Sequence, residues 1–464
     1  MERFKHDLAL KIVKILDAIL LTIPFALCWL LYYGERIAQP YYSKGNAVII
    51  ALFLFVYIVL GKVYEGFFVS MNRISEMVYS QALAALVTDG ILYIVIILLS
   101  KRMPNLLPGL CAFAGQILLA LIWSWLAHQW YFSKFPPQTT VVVYDTRQGM
   151  EKLIDEYGFD KKFAVRKCMP VEECMKNLSV LDDVKTVFLS GIHSHDRNII
   201  LKYCVEADIT VYVIPRVGDV IMSGAKVMHM FHLPMLRVGR YHPSPIFLTI
   251  KRGFDILVSG IAIVILSPIM AIVALAIKKT DGGPVFYKQV RLTKDGREFK
   301  VMKFRSMRVD AEKDGVARLS TGDKDDRITS VGRFIRKVRL DELPQLFNIV
   351  KGDMSIVGPR PERPEIAAEY EKEMPEFRLR LQARAGLTGY AQVYGKYNTT
   401  PYDKLQMDLM YIANPSAFED LRIMFATVKI LFMSESTEGV AEGATTAIGI
   451  EEVAANEENS NYKE

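Results

Sequence analysis

The sequence predicts a mixed membrane protein: an N-terminal region of four transmembrane helices, a doubly wound α/β module, and an α-rich C-terminal domain introduced by a broken apolar helix. Three observations carry this. Apolar runs at 12–33, 47–63, 82–100 and 106–130 each approach the ~20 residues that cross a ~30 Å hydrocarbon core. The short runs TTVVVYD, KTVFLSG and ITVYVIP alternate with MEKLIDEY and RNIILKYCVEA, which is the pattern of buried parallel strands between helices. A fifth apolar stretch begins at Lys251 and is interrupted by Ser267-Pro268.

The composition agrees with this division. The chain has 464 residues, 51% of them hydrophobic, and a net charge of +6, with a mean hydropathy of +0.18. That length predicts more than one domain, and the positive hydropathy predicts membrane segments beside polar ones. The mild basic excess suits a protein that faces anionic lipid and phosphorylated substrates but does not select among partners; no nucleic-acid partner is expected. Cys28, Cys111, Cys168, Cys174 and Cys204 form no CxxC pair, so they read as reduced, buried small hydrophobes. No cleavable signal peptide is expected, because the first apolar run is long and no clear small-residue cleavage site follows it.

The first domain is expected at 1–135. Pro24 is a candidate kink in the first run, and Asp89 and Gly90 weaken the third. Trp123, Trp125, Trp130 and Tyr131 suit an interfacial aromatic belt, and Arg3, Lys5, Lys11 and Lys14 place the N-terminus on the cytoplasmic side. Four spans then return the chain to the cytoplasm near Lys134. The second domain, 136–245, reads as a Rossmann-like module. Its first strand leads into Asp145-Thr146-Arg147-Gln148-Gly149 without a GxGxxG, so it is expected to be structural or regulatory rather than to bind a pyrophosphate. His193 with His195, and His229 with His232, lack further ligands at metal spacing.

The third domain is expected at 246–433. A helix containing Pro268 must bend or break, and the arm before it is too short to span. Lys251-Arg252 and Lys278-Lys279 flank the segment, so a re-entrant helix over about 251–277 keeps both basic pairs on the cytoplasmic side. An ordinary kinked span is the alternative. The domain closes on LRIMFATVKILFM, an apolar helix suited to an interface. The remaining 434–464 is acidic and reads as disordered.

The chemistry concentrates in RLDELPQLFNIVKGDMSIVGPRPERPE, from Arg339 to Glu365. Asp341 and Glu342 have an ordinary reading: Asp341 as an N-cap and Glu342 in the first turn, with Leu340, Leu343, Leu346 and Phe347 as the buried face. Against it stand the cations Lys303, Arg305, Arg308, Arg333, Arg336, Lys337 and Arg339. Phosphoryl chemistry calls for this mixture of cations for phosphate oxygens and a carboxylate for attack or metal binding. Arg360, set between two prolines, can present its guanidinium with little ordering cost.

These motifs, together with KRGFDI, GGPVFYKQVR, FKVMKFRSM, AGLTGYAQV and DLMYIANPSAFEDL, resemble the monotopic phosphoglycosyl transferases, the bacterial sugar transferase family. The N-terminal spans and α/β module are similar to those of its large members. The resemblance implies transfer of a sugar 1-phosphate from a UDP-sugar to polyprenol phosphate, undecaprenyl phosphate in particular, with release of UMP. It implies Asp341 as the nucleophile, Glu342 as its partner and Mg²⁺ ligand, and Lys303, Arg305, Arg336, Arg339, Arg360 and Asp408 as substrate-binding residues. Ser267 and Pro268 match the family's membrane-helix break. It further implies residence in the bacterial inner membrane with the catalytic domain in the cytoplasm, and a role in exopolysaccharide, capsule or other envelope glycan assembly. A homodimer is compatible with the apolar N-terminal portion. A membrane scaffold for assembly partners is the competing reading, but it gives Asp341, Glu342 and Arg360 no purpose. No motif separates glucose, galactose or N-acetylhexosamine.

Overall fold

The structure, a computed structural model, describes residues 2–241, 243–309, 327–395 and 399–431. The acidic tail lies outside the described residues, as do the side chains of Arg3 and Lys5. The chain forms two compact units, Met1–Ile214 and Pro215–Glu464.

The first unit opens with α1 (Glu2–Cys28), continued by a π-helical turn at Trp29–Tyr33, then α2 (Ser43–Val63), α3 (Ile74–Leu99) and α4 (Leu107–Lys134). Trp29, Phe53, Tyr57, Met77 and Leu92 fill the space between the helices, and their outer faces carry exposed Ile, Leu and Phe. Two inward polar side chains are linked across helices. The Ser124 hydroxyl donates to Gln81, whose amide donates to the Gly66 carbonyl at 3.1 Å.

β1 (Gln138–Tyr144), α5 (Met150–Glu156), β2 (Phe163–Pro170), α6 (Val171–Lys176), β3 (Thr186–Ser190), α7 (Ser194–Glu206) and β4 (Thr210–Val213) complete the unit. The four strands form a parallel sheet in the order β2-β1-β3-β4. Its two faces alternate residue by residue along β1. Val141 and Val143 pack with Cys174, Ile200 and Cys204 on one side, and Val142 packs with Ile154, Phe163 and Phe188 on the other. Burial on both faces is why these strands read as continuous β-branched runs.

The second compact unit begins at Pro215. α8 (Val217–Ser223) buries Val217 and Val220 in the C-terminal core, so these residues leave the sheet module. An antiparallel hairpin of β5 (Lys226–Met230) and β6 (Leu233–Arg237) follows. Then come α9 (Pro245–Asp281), the β7 (Phe286–Leu292) and β8 (Glu298–Phe304) hairpin, α10 (Ser330–Lys337), a 3₁₀ turn at Leu340–Glu342, and α11 (Gln345–Lys351). β9 (Ser355–Val357) pairs in parallel with β10 (Gly386–Thr388), with α12 (Pro364–Glu373) between them. α13 (Tyr390–Tyr394), α14 (Pro401–Ala413) and α15 (Ala417–Leu431) close the fold. α15 buries Ile423 and leaves Phe418 and Leu421 exposed.

Among the described residues five helices, α1 to α4 and α9, are long and apolar enough to cross a membrane, and the chain is a membrane protein. Of the bend or break expected at Ser267-Pro268, a break is absent: α9 runs through Pro268 as one helix of 37 residues. A local contact accompanies this continuity. Proline lacks the N–H that would bond the carbonyl four residues back, at Val264, and the Ser267 hydroxyl donates to that same carbonyl at 2.7 Å. The serine satisfies the acceptor that the proline orphans.

The inner face of α9 forms part of the C-terminal core over most of its length. Val258, Ala262 and Ile263 pack with Ile349, Ile356 and their neighbours. Leu266, Met270, Val273, Ala274 and Ile277 pack with Phe304, Ile335, Leu340 and Leu343. Polar contacts secure both ends. The Arg252 guanidinium donates to the Ile349 and Val350 carbonyls at the end of α11, and Lys251 meets Asp420 at 2.7 Å. Buried Asp255 accepts from the Ser355 hydroxyl at 2.8 Å and the Ile356 N–H at 3.1 Å. The opposite face exposes Ile250, Leu257, Ile261, Val264, Ile265, Ile272 and Leu275.

A double-mutant cycle tests the serine–proline compensation. In protein held in lipid nanodiscs, Ser267→Ala is expected to lower the thermal midpoint by the equivalent of about 1 kcal/mol. In a Pro268→Ala background the loss should vanish, because alanine at that position restores the backbone donor. Equal losses in both backgrounds would refute it.

Candidate active site

Asp341 and Glu342 sit in the 3₁₀ turn between α10 and α11. Asp341 is not a helix N-cap: Pro344 holds that position for α11, and Phe347 is exposed rather than buried. The chain enters the turn through Arg339, whose φ of +57° is left-handed and uncommon for a residue with a Cβ. This ends α10 abruptly. Leu340 and Leu343 pack into the core beside α9, and the two carboxylates are left at the rim.

The two acids are treated differently. Glu342 Oε1 accepts from Lys303 Nζ at 2.9 Å and from Arg360 Nη2 at 3.3 Å. No hydrogen bond or ion pair engages the Asp341 carboxylate among the described residues. Burial pushes Glu342 up, but Lys303 and Arg360 outweigh it and hold Glu342 well below the usual carboxylate range. Asp341 moves the other way: burial and the neighbouring Glu342 charge raise it, against the pull of Lys303, Arg336 and Arg339. One carboxylate is a fixed anion, and the other is an unpaired base next to it.

Lys303 comes from β8, beside Phe304, which is buried against α9. Arg336 lies in the last turn of α10. Arg360 stands on the Pro359-Arg360-Pro361-Glu362 segment, and all four carbonyls of that segment are anchored. Pro359 accepts from the Gly386 N–H at 2.8 Å and Arg360 from the Arg380 guanidinium at 2.9 Å. Pro361 accepts from Arg291 at 3.2 Å and Glu362 from the Leu292 N–H at 2.9 Å. The Arg360 side chain itself is 46% exposed, so its fork faces open space from a rigid base.

Two residues lie away from the roles the resemblance implied. Arg305 is buried and clamps the end of α9: its guanidinium pairs with both oxygens of Asp281, and Nε donates to the Pro284 carbonyl at 2.7 Å. It is not placed as a free phosphate ligand. Asp408 is 1% exposed and pairs with Arg380 at 2.6 Å. It reaches the site only indirectly, through Arg380 and the Arg360 main chain. Arg380 itself, in a 3₁₀ helix at Pro375–Gln382, has no motif around it that would have drawn notice. Lys404 on α14 was also missed; burial lowers its pKa, and it interacts with Glu362 and Arg360.

The family comparison agrees with this geometry. The model described as bacterial sugar transferase matches residues 246–434. The exopolysaccharide production protein PSS of Rhizobium leguminosarum bv. phaseoli is 42% identical over 201 residues, which is 41% of this chain and 98% of that protein. The chain belongs to the bacterial sugar transferase family. Longer family members match over about half of this chain. The UDP-N-acetylgalactosamine-undecaprenyl-phosphate N-acetylgalactosaminephosphotransferase of Aeromonas hydrophila is 40% identical over 50% of this chain and 54% of its own length. The UDP-glucose:undecaprenyl-phosphate glucose-1-phosphate transferase of Klebsiella pneumoniae is 38% identical over 46% and 45%. The chain thus spans about half the length of these longer sugar transferases.

Opposite effects on stability are expected from the two acids. With no metal added at pH 7, Asp341→Asn removes a charge that burial and Glu342 disfavour, so the thermal midpoint should hold or rise. Glu342→Gln leaves Lys303 and Arg360 facing a neutral group and should cost about 1–3 kcal/mol. Thermal unfolding of both variants in the same nanodiscs checks the signs.

Proposed function

We propose that this protein transfers a sugar 1-phosphate from a UDP-sugar to undecaprenyl phosphate and releases UMP. The observation that carries the reading is the unpaired, half-buried Asp341 carboxylate beside a Glu342 held by Lys303 and the anchored Arg360. The activities for which the Aeromonas and Klebsiella relatives are named agree with it.

In this mechanism a carboxylate oxygen of Asp341 attacks the β-phosphorus of the UDP-sugar. The phosphoanhydride bond breaks, its electron pair leaves with UMP, and an aspartyl-phosphosugar remains. An oxygen of the lipid phosphate then attacks the same phosphorus, and the Asp341 carboxylate departs to give the polyprenyl diphosphate sugar. Both steps bring an anion toward a charged phosphate. Arg360, Arg336 and Lys303 offset that repulsion, and the fixed backbone of Arg360 keeps its position from relaxing between steps. Arg339, in its left-handed conformation, aims the turn that carries Asp341.

The site fits Mg²⁺. Both hydrogen bonds to Glu342 fall on Oε1, which leaves Oε2 as a hard anionic donor. Magnesium sites commonly use one or two carboxylates and complete their shell with substrate phosphates and water. Glu342 would hold the ion, which supplies charge neutralisation at the phosphates when bound. Lys303 and Arg360 also hold the Glu342 carboxyl below the usual carboxylate range, which favours its ionised form.

The same reading treats α9 as a monotopic, re-entrant membrane element. A helix that crossed the bilayer alone would present its middle to lipid on all sides. Here Val258, Ala262 and Ile263 before Pro268, and Met270, Val273 and Ile277 after it, pack onto the C-terminal domain. Only the outer stripe is available to lipid. This arrangement supports a site at the cytoplasmic face of the inner membrane, where a lipid phosphate meets a soluble sugar nucleotide without leaving the bilayer. The product would begin an exopolysaccharide, capsule or other envelope glycan.

Incubation with UDP-sugar and Mg²⁺ but no lipid acceptor should add the mass of a phosphosugar to the peptide containing Asp341, with one UMP released per adduct. Asp341→Asn should show neither and should lose at least ~10³-fold in turnover. Turnover near that of the parent in Asp341→Asn would exclude the covalent route.

A further inference from the structure

We propose that the β5–β6 hairpin is a lipid anchor, with an apolar tip that enters the interface of an anionic leaflet and a cationic base that meets the lipid phosphates. The inference rests on the hairpin's own chemistry and is independent of the transfer reaction.

An isolated two-stranded hairpin is marginal in water, and this one exposes both faces. Phe231 at the tip is 79% exposed, Val227 72% and Leu233 59%, with Met230, Met235 and Leu236 also exposed. The two-residue turn places Phe231 and His232 at φ of +56° and +60°. Both angles are positive, as in a type I′ turn, a geometry that favours Asn-Gly and strains a bulky residue. A phenylalanine held there and exposed to solvent needs a contact outside the described fold.

Charge identifies the contact. Lys226 and Arg237 are direct cross-strand partners at the base, where like charges destabilise the pair. Neither engages an acid among the described residues, and the sequence has no Asp or Glu between Asp219 and Asp255. Arg240, just beyond the hairpin, pairs with Asp295 and ties the stem to the body, while His229 and His232 add only potential positive charge. Two opposed cations with no acid require anions, and an anionic leaflet supplies them densely.

The dimensions agree. Four rungs separate the Met230–Leu233 pair from the Lys226–Arg237 pair, or about 13 Å at ~3.3 Å per residue. With the tip ~5–10 Å into the headgroup–acyl boundary, the two cations reach the phosphate level or just above it, where their flexible stems can adjust. The open strand edges stay in the hydrated interface, where their N–H and C=O groups find water, and Pro234 removes one edge donor near the tip. A second copy is a poorer occupant, because two-fold pairing of this hairpin with itself would gather four cations without an acid.

The test uses the full chain with p-benzoylphenylalanine at Phe231, reconstituted in nanodiscs and irradiated. A matching probe at Val205, an exposed position on α7, sets the background. In discs containing phosphatidylglycerol, mass spectrometry should find a phospholipid adduct at 231 well above background. The yield should fall severalfold in pure phosphatidylcholine discs, and likewise when Lys226→Glu and Arg237→Glu are combined. A covalent adduct to a second copy of the chain, lipid labelling no higher than at 205, or equal yields in the two lipids would each overturn the proposal.

Discussion

The inner face of α9 is the constraint on which the rest of the C-terminal unit depends. An apolar helix of this length ordinarily seeks lipid on every side, yet here one face is filled by Phe304, Ile335, Leu340 and Ile349. Those residues come from β8, α10, the 3₁₀ turn and α11, and the first three of these elements carry Lys303, Arg336, Asp341 and Glu342. The reactive groups are therefore mounted on an apolar helix, and the geometry of the site follows the geometry of its packing. Ion pairs at the ends, Lys251 with Asp420 and Asp281 with Arg305, secure the helix to the same body.

On this base the electrostatics are simple in outline. Cations outnumber acids around the turn, so an approaching anion meets a favourable field. The surplus is unevenly distributed. Lys303 and Arg360 fix Glu342, and Asp341 is left without a partner. Arg360 owes its orientation to four anchored carbonyls and two prolines. Arg380 links that loop to Asp408, an acid too deeply buried to meet a substrate directly.

Much of this was legible in the sequence. Period and run length located α1 to α4 and the parallel strands, because burial on one or two faces leaves a direct mark on the order of residues. The acid pair and the Pro-Arg-Pro loop stood out because their chemistry is dense and local. Other features depended on partners far apart in the chain. Arg305 and Asp408 carry the charge expected of ligands, but Asp281 and Arg380 bind them elsewhere. Pro268 predicted a bend or break from the backbone alone, and nothing in that rule shows that the helix continues with the Ser267 hydroxyl on the Val264 carbonyl. α8 looked like part of the sheet module because nothing local reveals that Val217 and Val220 face a core built mainly from residues beyond 290.

The central claim is that α9 enters and leaves the membrane on one side. Single cysteines introduced as Thr249→Cys and Thr280→Cys, each read against the parent's own cysteines, can be labelled with an impermeant maleimide from either face of sealed vesicles. The account predicts that both positions react from the same face and from that face only. Labelling of the two positions from opposite faces would contradict it.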